Sequence, residues 1–331
     1  MSVGMLGHLG LKQEAAYGVE ATPPTVFGEF KSESANFDNQ LIIPRYVGGV
    51  RGNKRILPGP FTNDGSFDLD LTPEDLIGWL LKGLFGQVAT TALGGGAYSH
   101  VFSELQSSTL PSYTMQIERV AGCFNYTGMR IASMDVGVKP NDLLGASFNW
   151  SAQNVKESVA ANPAYTILDP FSAYDVGVVL NGVSNVDFED LKFTISNESE
   201  DVYTLNTERF KGKNVAKRFD TNGSFGLEFG DMNLVRRIWG NSLSTEPENC
   251  LTSGTLTLNI ISTCQKIAAS GVFYSLAFTW HELYFAKGQP QISGPDDRIM
   301  QSISWETKHN AVQNKMITCT LVNSQSGYPN P

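Results

Sequence analysis

Histidine and cysteine are scarce in this chain, four of each among 331 residues, and their spacing excludes more than their number does. Cys123, Cys250, Cys264 and Cys319 form no C-x-x-C pair, so neither a zinc site nor a disulfide framework is expected, only buried reduced thiols. His8, His100, His281 and His309 lie too far apart in sequence to suggest a shared metal, and no H-E-x-x-H or H-x-E arrangement occurs. His281 and Glu282 are neighbours in a strand-like run, which sends them to opposite faces rather than into a dyad. Gly94-Gly95-Gly96 lacks the Gly-Lys-Ser/Thr of a phosphate loop, and no Ser or Thr follows Lys54 in the run Gly49 to Arg55. With no G-x-S-x-G elbow either, no catalytic residue, metal or cofactor is assigned, and a protein that is not an enzyme is expected.

Positive charge is also in short supply. Lys and Arg number 24 against 33 Asp and Glu, a formal net charge of -9, which disfavours tight binding to nucleic acid because phosphates are neutralised by clustered cations. No charged and then apolar leader opens the chain, and the longest helical apolar stretch, LIGWLLKGLFG, is short and interrupted by Lys82. A soluble, unsecreted product without membrane contact is the expectation.

What is present points to strands. Hydrophobic residues make up 41% and charged ones 17%, the balance of a folded chain, and the length suits two domains. Phe67, Leu69 and Leu71 alternate with Ser66, Asp68 and Asp70, and Tyr113, Met115 and Ile117 alternate with Thr114, Gln116 and Glu118. Segments 129–138, 143–150, 276–286 and 299–305 alternate likewise around turns at Pro140-Asn141-Asp142 and Gly294-Pro295-Asp296-Asp297. One helix is signalled from about Pro73 to Phe85, with Thr72 as N-cap, Pro73 at the first position and a capping-box acid.

The pattern also repeats. GSFDLDL from Gly65 is matched by GSFGLEF from Gly223, and each run leads into a helix in which Leu76, Ile77 and Leu80 correspond to Leu234, Val235 and Ile238. Later, Pro140-Asn141-Asp142 with Leu144, Phe148 and Trp150 corresponds to Pro295-Asp296-Asp297 with Ile299, Ile303 and Trp305. Two similar halves follow: domains over 30–157 and 187–322, a linker over 158–186, an N-terminal arm over 1–29 and a C-terminal tail over 323–331. Each half carries a basic stretch before its repeated strand: Arg45, Arg51, Lys54 and Arg55 in the first, Arg209, Lys211 and Lys213 in the second. On an acidic protein such loops suit contact with an acidic surface of another copy.

From Gly10 the stretch GLKQEAAYGVEATP resembles the opening of bacteriophage tail tube proteins. The resemblance continues through the Gly- and Arg-containing loop at 48–55, the GSFDLDL strand, TPEDLIGWLLKGLFG, and YSHVFSELQSSTLPSYTMQIER from Tyr98. It covers about the first 150 residues in order and type, and reaches the second half through the repeat. The resemblance implies a mainly β fold: two tandem tail-tube-type β-sandwich or partial-barrel domains, each with a flanking α-helix. It further implies a virion protein made in the cytoplasm of a bacterial host, polymerised as stacked rings around a conduit for genome ejection. Six tube domains usually surround that channel, and members that carry the domain twice assemble as trimers. The implied partners are further copies of the chain, the tape measure protein, the tail terminator and the tail tip or initiator proteins.

A channel that passes DNA without binding it needs small or acidic side chains. Alternation offers Asp68, Asp70, Asp135, Glu228 and Glu282 as lumen-facing acids. The alternative reading is a β-sandwich binding module, a carbohydrate- or receptor-binding tail component. It would need an exposed aromatic platform or a calcium loop, and Trp150 and Trp305 fall instead where core packing explains them.

Overall fold

Alternating side chains make a strand with one buried face, and here that rule builds nearly everything. The computed structural model describes residues 4–48, 51–185, 188–205, 208–292 and 294–330. Gly49 and Val50 of the basic loop, and Val186 and Asp187 at the expected linker boundary, lie outside the described residues. The first half contains β1 (His8–Gln13), β2 (Val26–Gly28), β3 (Ser32–Glu33), β4 (Asn36–Asp38), β5 (Thr62–Asp70), helix α1 (Leu76–Phe85), β6 (Gly86–Gly94), β7 (Ala97–Glu104), β8 (Tyr113–Glu118), β9 (Cys123–Val138), β10 (Gly145–Ala152) and β11 (Asn154–Ser158). The second contains β12 (Val176–Leu180), β13 (Val183–Asn185), β14 (Phe188–Ser196), β15 (Glu200–Val202), β16 (Lys213–Val215), β17 (Asp220–Glu228), helix α2 (Asn233–Trp239), β18 (Gly254–Lys266), β19 (Phe273–Lys287), β20 (Met300–Thr307) and β21 (Ile317–Asn323). The chain is mainly β, and its sheets do not close into a barrel.

The halves repeat one another strand by strand. One layer runs β2–β1–β8–β9–β11 in the first half and β13–β12–β18–β19–β21 in the second, antiparallel throughout. The other runs β5–β10–β9 and β17–β20–β19, with β3 and β4 beside β5, and β14 beside β17. The long strands β9 and β19 thus pass from one layer into the other. β5 and β17 have nine residues each, β10 and β20 eight each.

Side chains obey the same repeat. Trp150 pairs with Gly65 and Trp305 with Gly223, and a Cβ on either glycine would stand 2.8 or 2.5 Å from the facing indole. Tyr126 meets Trp150 edge-on at 5.1 Å and 65°, while Trp280 meets Trp305 at 5.1 Å and 66°. Both indoles are buried, so the packing that the alternating pattern suggested for them is what the fold contains.

Two junctions fuse the halves. β9 pairs with β14 from Val138↔Leu191 to Ser133↔Ser196, giving one sheet in the order β3–β5–β10–β9–β14–β17–β20–β19. The β6–β7 hairpin of the first half pairs with β21 of the second. A single contiguous cluster of buried apolar side chains, from Leu9 to Tyr328, runs through both.

The segments expected outside the two domains pack against them, and helix α1 is shorter than expected. The N-terminal arm is not free: β1 lies between β2 and β8, and Leu9 and Leu11 are buried. In the expected linker 158–186, β12 and β13 belong to the second outer layer, so the stretch without strand is shorter. The C-terminal tail folds back on α1, where Tyr328 packs against Trp79 and Lys82 Nζ donates to the Tyr328 and Pro329 carbonyls at 2.9 Å each. Helix α1 starts at Leu76 rather than Pro73, because the expected capping groups are engaged elsewhere. The Glu74 carboxylate accepts from Ser324 N at 2.7 Å, Asp75 from Thr166, and the Pro73 carbonyl from Asn323.

Candidate functional site

The sheet that spans both halves buries one face and turns the other outward. Successive ladder partners on the outward face form a row: Asp68, Ser147, Asp135, Thr194, Asn222 and Glu306. The flanking row Ser66, Asn149, Ser133 and Ser196 is equally small and polar. Such a surface arises because each residue alternates with a core residue, as Asp68 does with Phe67 and Leu69, and Asp135 with Met134 and Val136. Lys192 is the cation in the next row, facing Gly137 and Ser224.

Of the five acids singled out from the sequence, Asp68, Asp70, Asp135 and Glu228 lie on this face. Asp68 accepts from Ser32 Oγ at 2.6 Å, and Asp135 from Thr194 Oγ1 at 2.6 Å and Asn149 Nδ2 at 3.1 Å. Asp70 pairs with Lys31 at 2.5 Å, and Glu228 lies 3.5 Å from Arg298. Glu282 sits apart, in the edge strand β19, bonded to Lys308 at 2.8 Å and to Tyr284 Oη at 2.9 Å. Those bonds, Lys308 first, hold its carboxyl below the usual carboxylate range. Sequence reasoning missed Glu306, although its place one residue past buried Trp305 was the available signal.

The basic stretches have different fates. Arg45, Arg51, Lys54 and Arg55 are exposed, and among the described residues no acid lies within ion-pair distance of them. Their loop also exposes Leu41, Ile42, Tyr46, Val47, Ile56 and Leu57, and is closed at its base by the Ile42–Leu57 backbone pair. In the second half Lys213 is exposed, but Lys211 is fully buried, 2.9 Å from Asp64 and 2.7 Å from Asp201. Arg209 donates to Gly59 O at 3.0 Å and to Asn39, and its own carbonyl accepts from Phe61 N. The second loop is therefore not a solvated basic loop: it clamps the first half.

The N-terminal KQEAAYG motif has a structural explanation in the same region. The buried Glu14 carboxylate accepts from Gly18 N, Gly128 N, Ser112 Oγ and Thr114 Oγ1 at 2.7 to 3.0 Å. Tyr17 lies under the Arg130 guanidinium at 4.6 Å, and burial pushes its phenol well up. Arg130 in turn donates to the Asn214 carbonyl of the clamping loop.

Elsewhere, a cleft of about 850 Å³ beside β3 is lined by charges that neutralise one another: Lys31 with Asp70, and Arg119 with Glu33 at 2.7 Å. Among the described residues no three His, Cys, Asp or Glu are grouped to hold a metal ion. Cys123 and Cys319 are buried, whereas Cys250 and Cys264 are exposed, so burial of all four thiols does not hold. Among the described residues no helix is long and apolar enough to cross a membrane.

A comparison with curated proteins found no match. A family model described as phage tail tube protein matches residues 4–307, which includes the first half, the second half as far as β20 and every strand of the polar sheet. The chain thus belongs to the phage tail tube protein family and is a structural component of the virion tail.

Proposed function

We propose that copies of this chain polymerise into stacked rings, three to a ring, whose six halves surround the channel through which the genome leaves for the bacterial host. The observation that carries this reading is the β9–β14 junction. β14 holds the place in the second half that β3 and β4 hold in the first, and β19 the place of β9. Among the described residues β19 is unpaired beyond β20 at 284–287, and β3 and β4 are unpaired beyond β5. Joining β19 of one copy to β3 and β4 of the next repeats the internal junction between chains. A head-to-tail contact of this kind closes into a ring when its rotation divides the circle, and it removes open edges that would otherwise aggregate.

The outward face then lines the lumen, with Asp68, Asp70, Asp135 and Glu228 on the wall and Glu282 at the seam. Carboxylates repel phosphate and small neutral hydroxyls offer it no positive charge to hold, so DNA slides. The halves divide as tube domains over 30–157 and 187–322, with β1 and β2 packed onto the first and β12 and β13 onto the second. The role is structural rather than enzymatic, and the further partners are the tape measure, terminator and tip or initiator proteins.

Negative-stain electron microscopy with mass photometry, at low and high concentration, tests this. Hollow tubes or rings of three chains are expected. Rings of six would keep the conduit but overturn the repeat argument, and a strict monomer even with initiator proteins added would overturn the function.

A further inference from the structure

We infer that the first basic loop of one copy docks on the second half of its ring neighbour, with Glu306 as the anion that receives the loop's Lys54 and Arg55. The inference rests on the ring proposed above, and its template lies within the chain. Lys211, nine residues ahead of β17, reaches back over the preceding half and is held by Asp64, the third residue of β5, and Ser151, the seventh of β10. Asp64 and Ser151 face one another across their ladder. In the second half the third residue of β17 is Asn222, the seventh of β20 is Glu306, and these two also face one another. One carboxylate is present at each place, contributed by β5 in the first half and by β20 in the second.

The donor is duplicated too. Nine residues ahead of β5 stands Asn53, flanked by Arg51, Lys54 and Arg55. Lys211 is buried against its acid, whereas these cations and Glu306 are exposed and, among the described residues, have no oppositely charged partner: Lys54 donates to the Gly48 carbonyl and Arg55 lies over the Tyr46 ring. The place that holds Lys211 thus has an unfilled counterpart in the second half, which the loop of another copy would fill. If β19 meets β3 and β4 of the next copy as β9 meets β14, the loop following β4 falls over Glu306 as the loop following β14 falls over Asp64.

The apolar part of the loop supports the same partner. Leu41, Ile42, Tyr46, Val47, Ile56 and Leu57 are each about half exposed or more in the single chain, an apolar concentration that a soluble surface rarely leaves uncovered. In the internal template the second loop also covers apolar surface, though with other residues: Phe210 packs edge-on against Phe61 at 5.9 Å. Docking therefore covers the apolar loop while it pairs the charges.

The test compares Glu306→Lys, the double change Lys54→Glu with Arg55→Glu, and all three changes together, in the full chain. Light scattering and electron microscopy would follow assembly, and thermal melts of unassembled protein would show that each variant folds. The single-sided variants should need about tenfold more protein to assemble at 50 mM salt, the triple variant should regain assembly, and high salt should narrow the differences. Wild-type tubes together with unimpaired Glu306→Lys tubes would overturn the docking and leave the tube reading standing. So would failure of the triple variant to recover although it folds. Wild-type protein that never assembles would instead count against the tube reading.

Discussion

Lys211 shows how far a single residue can depart from its sequence context. In Arg209-Phe210-Lys211-Gly212-Lys213 it reads as one cation among several on a surface loop. The folded chain removes its side chain from water and surrounds it with Asp64, Asp201 and Ser151. Nothing in the local sequence marks it, because both acids are distant in the chain or in another element, and only the β9–β14 junction brings Asp64 within reach. Lys211 is buried but Asp64 and Asp201 keep contact with water, so Lys211→Ala, which removes charged hydrogen bonds without stranding a buried acid, should destabilise the chain by about 1–2 kcal/mol while Lys213→Ala changes little. Urea unfolding of the two variants checks the contrast. Gly65 and Gly223 make the opposite case, since their function follows directly from the repeat: each leaves room for an indole. Gly65→Ala and Gly223→Ala should each cost about 1–3 kcal/mol, measured the same way, because neither tryptophan has space to retreat.

At the scale of elements, strands were legible and ends were not. Period-two alternation placed β5, β10, β19 and β20 because each has one buried face, and that constraint is local; β8 and part of β9 alternate too, although their polar residues Thr114, Gln116 and Asn125 are buried as well. Helix α1 was legible from its apolar residues, but its start was not, since Glu74, Asp75 and Pro73 bond to residues 166, 323 and 324 rather than to the helix. Lys82 was read as an interruption in an apolar run, and it is the residue that straps the C-terminal tail to the helix. Burial pushes its ammonium down to about 8 from the usual 10.5. The folded state therefore holds fewer protons than the unfolded chain between these values, and this group's contribution to stability rises with pH across that window. It is complete above 10.5 and lost below about 8. Melting wild type and Lys82→Met at pH 7, 8, 9 and 10 should show the wild type gaining relative to the variant as pH increases.

For the whole molecule, the repeat seen in the sequence is also the plan of the proposed ring. The two basic loops looked equivalent in the sequence because both precede a GSF strand. They differ in the fold because the second loop has a preceding half within the chain to cover, and the first loop has none. The polar face was legible only as a set of residues outside the core; the ladders that align Asp68 with Asp135 and Glu306 through Ser147, Thr194 and Asn222 require tertiary pairing across the halves. If this face is the channel wall, its sign controls whether DNA passes or sticks. Tubes carrying Asp68→Lys and Glu228→Lys should retain double-stranded DNA at 50 mM salt and release it as salt rises, the log–log slope growing with the number of lysines on the wall, whereas wild-type tubes should retain none. Sedimentation of tubes with labelled DNA reads this directly. Lysine tubes that hold no more DNA than wild type at low salt would place these two residues outside the channel.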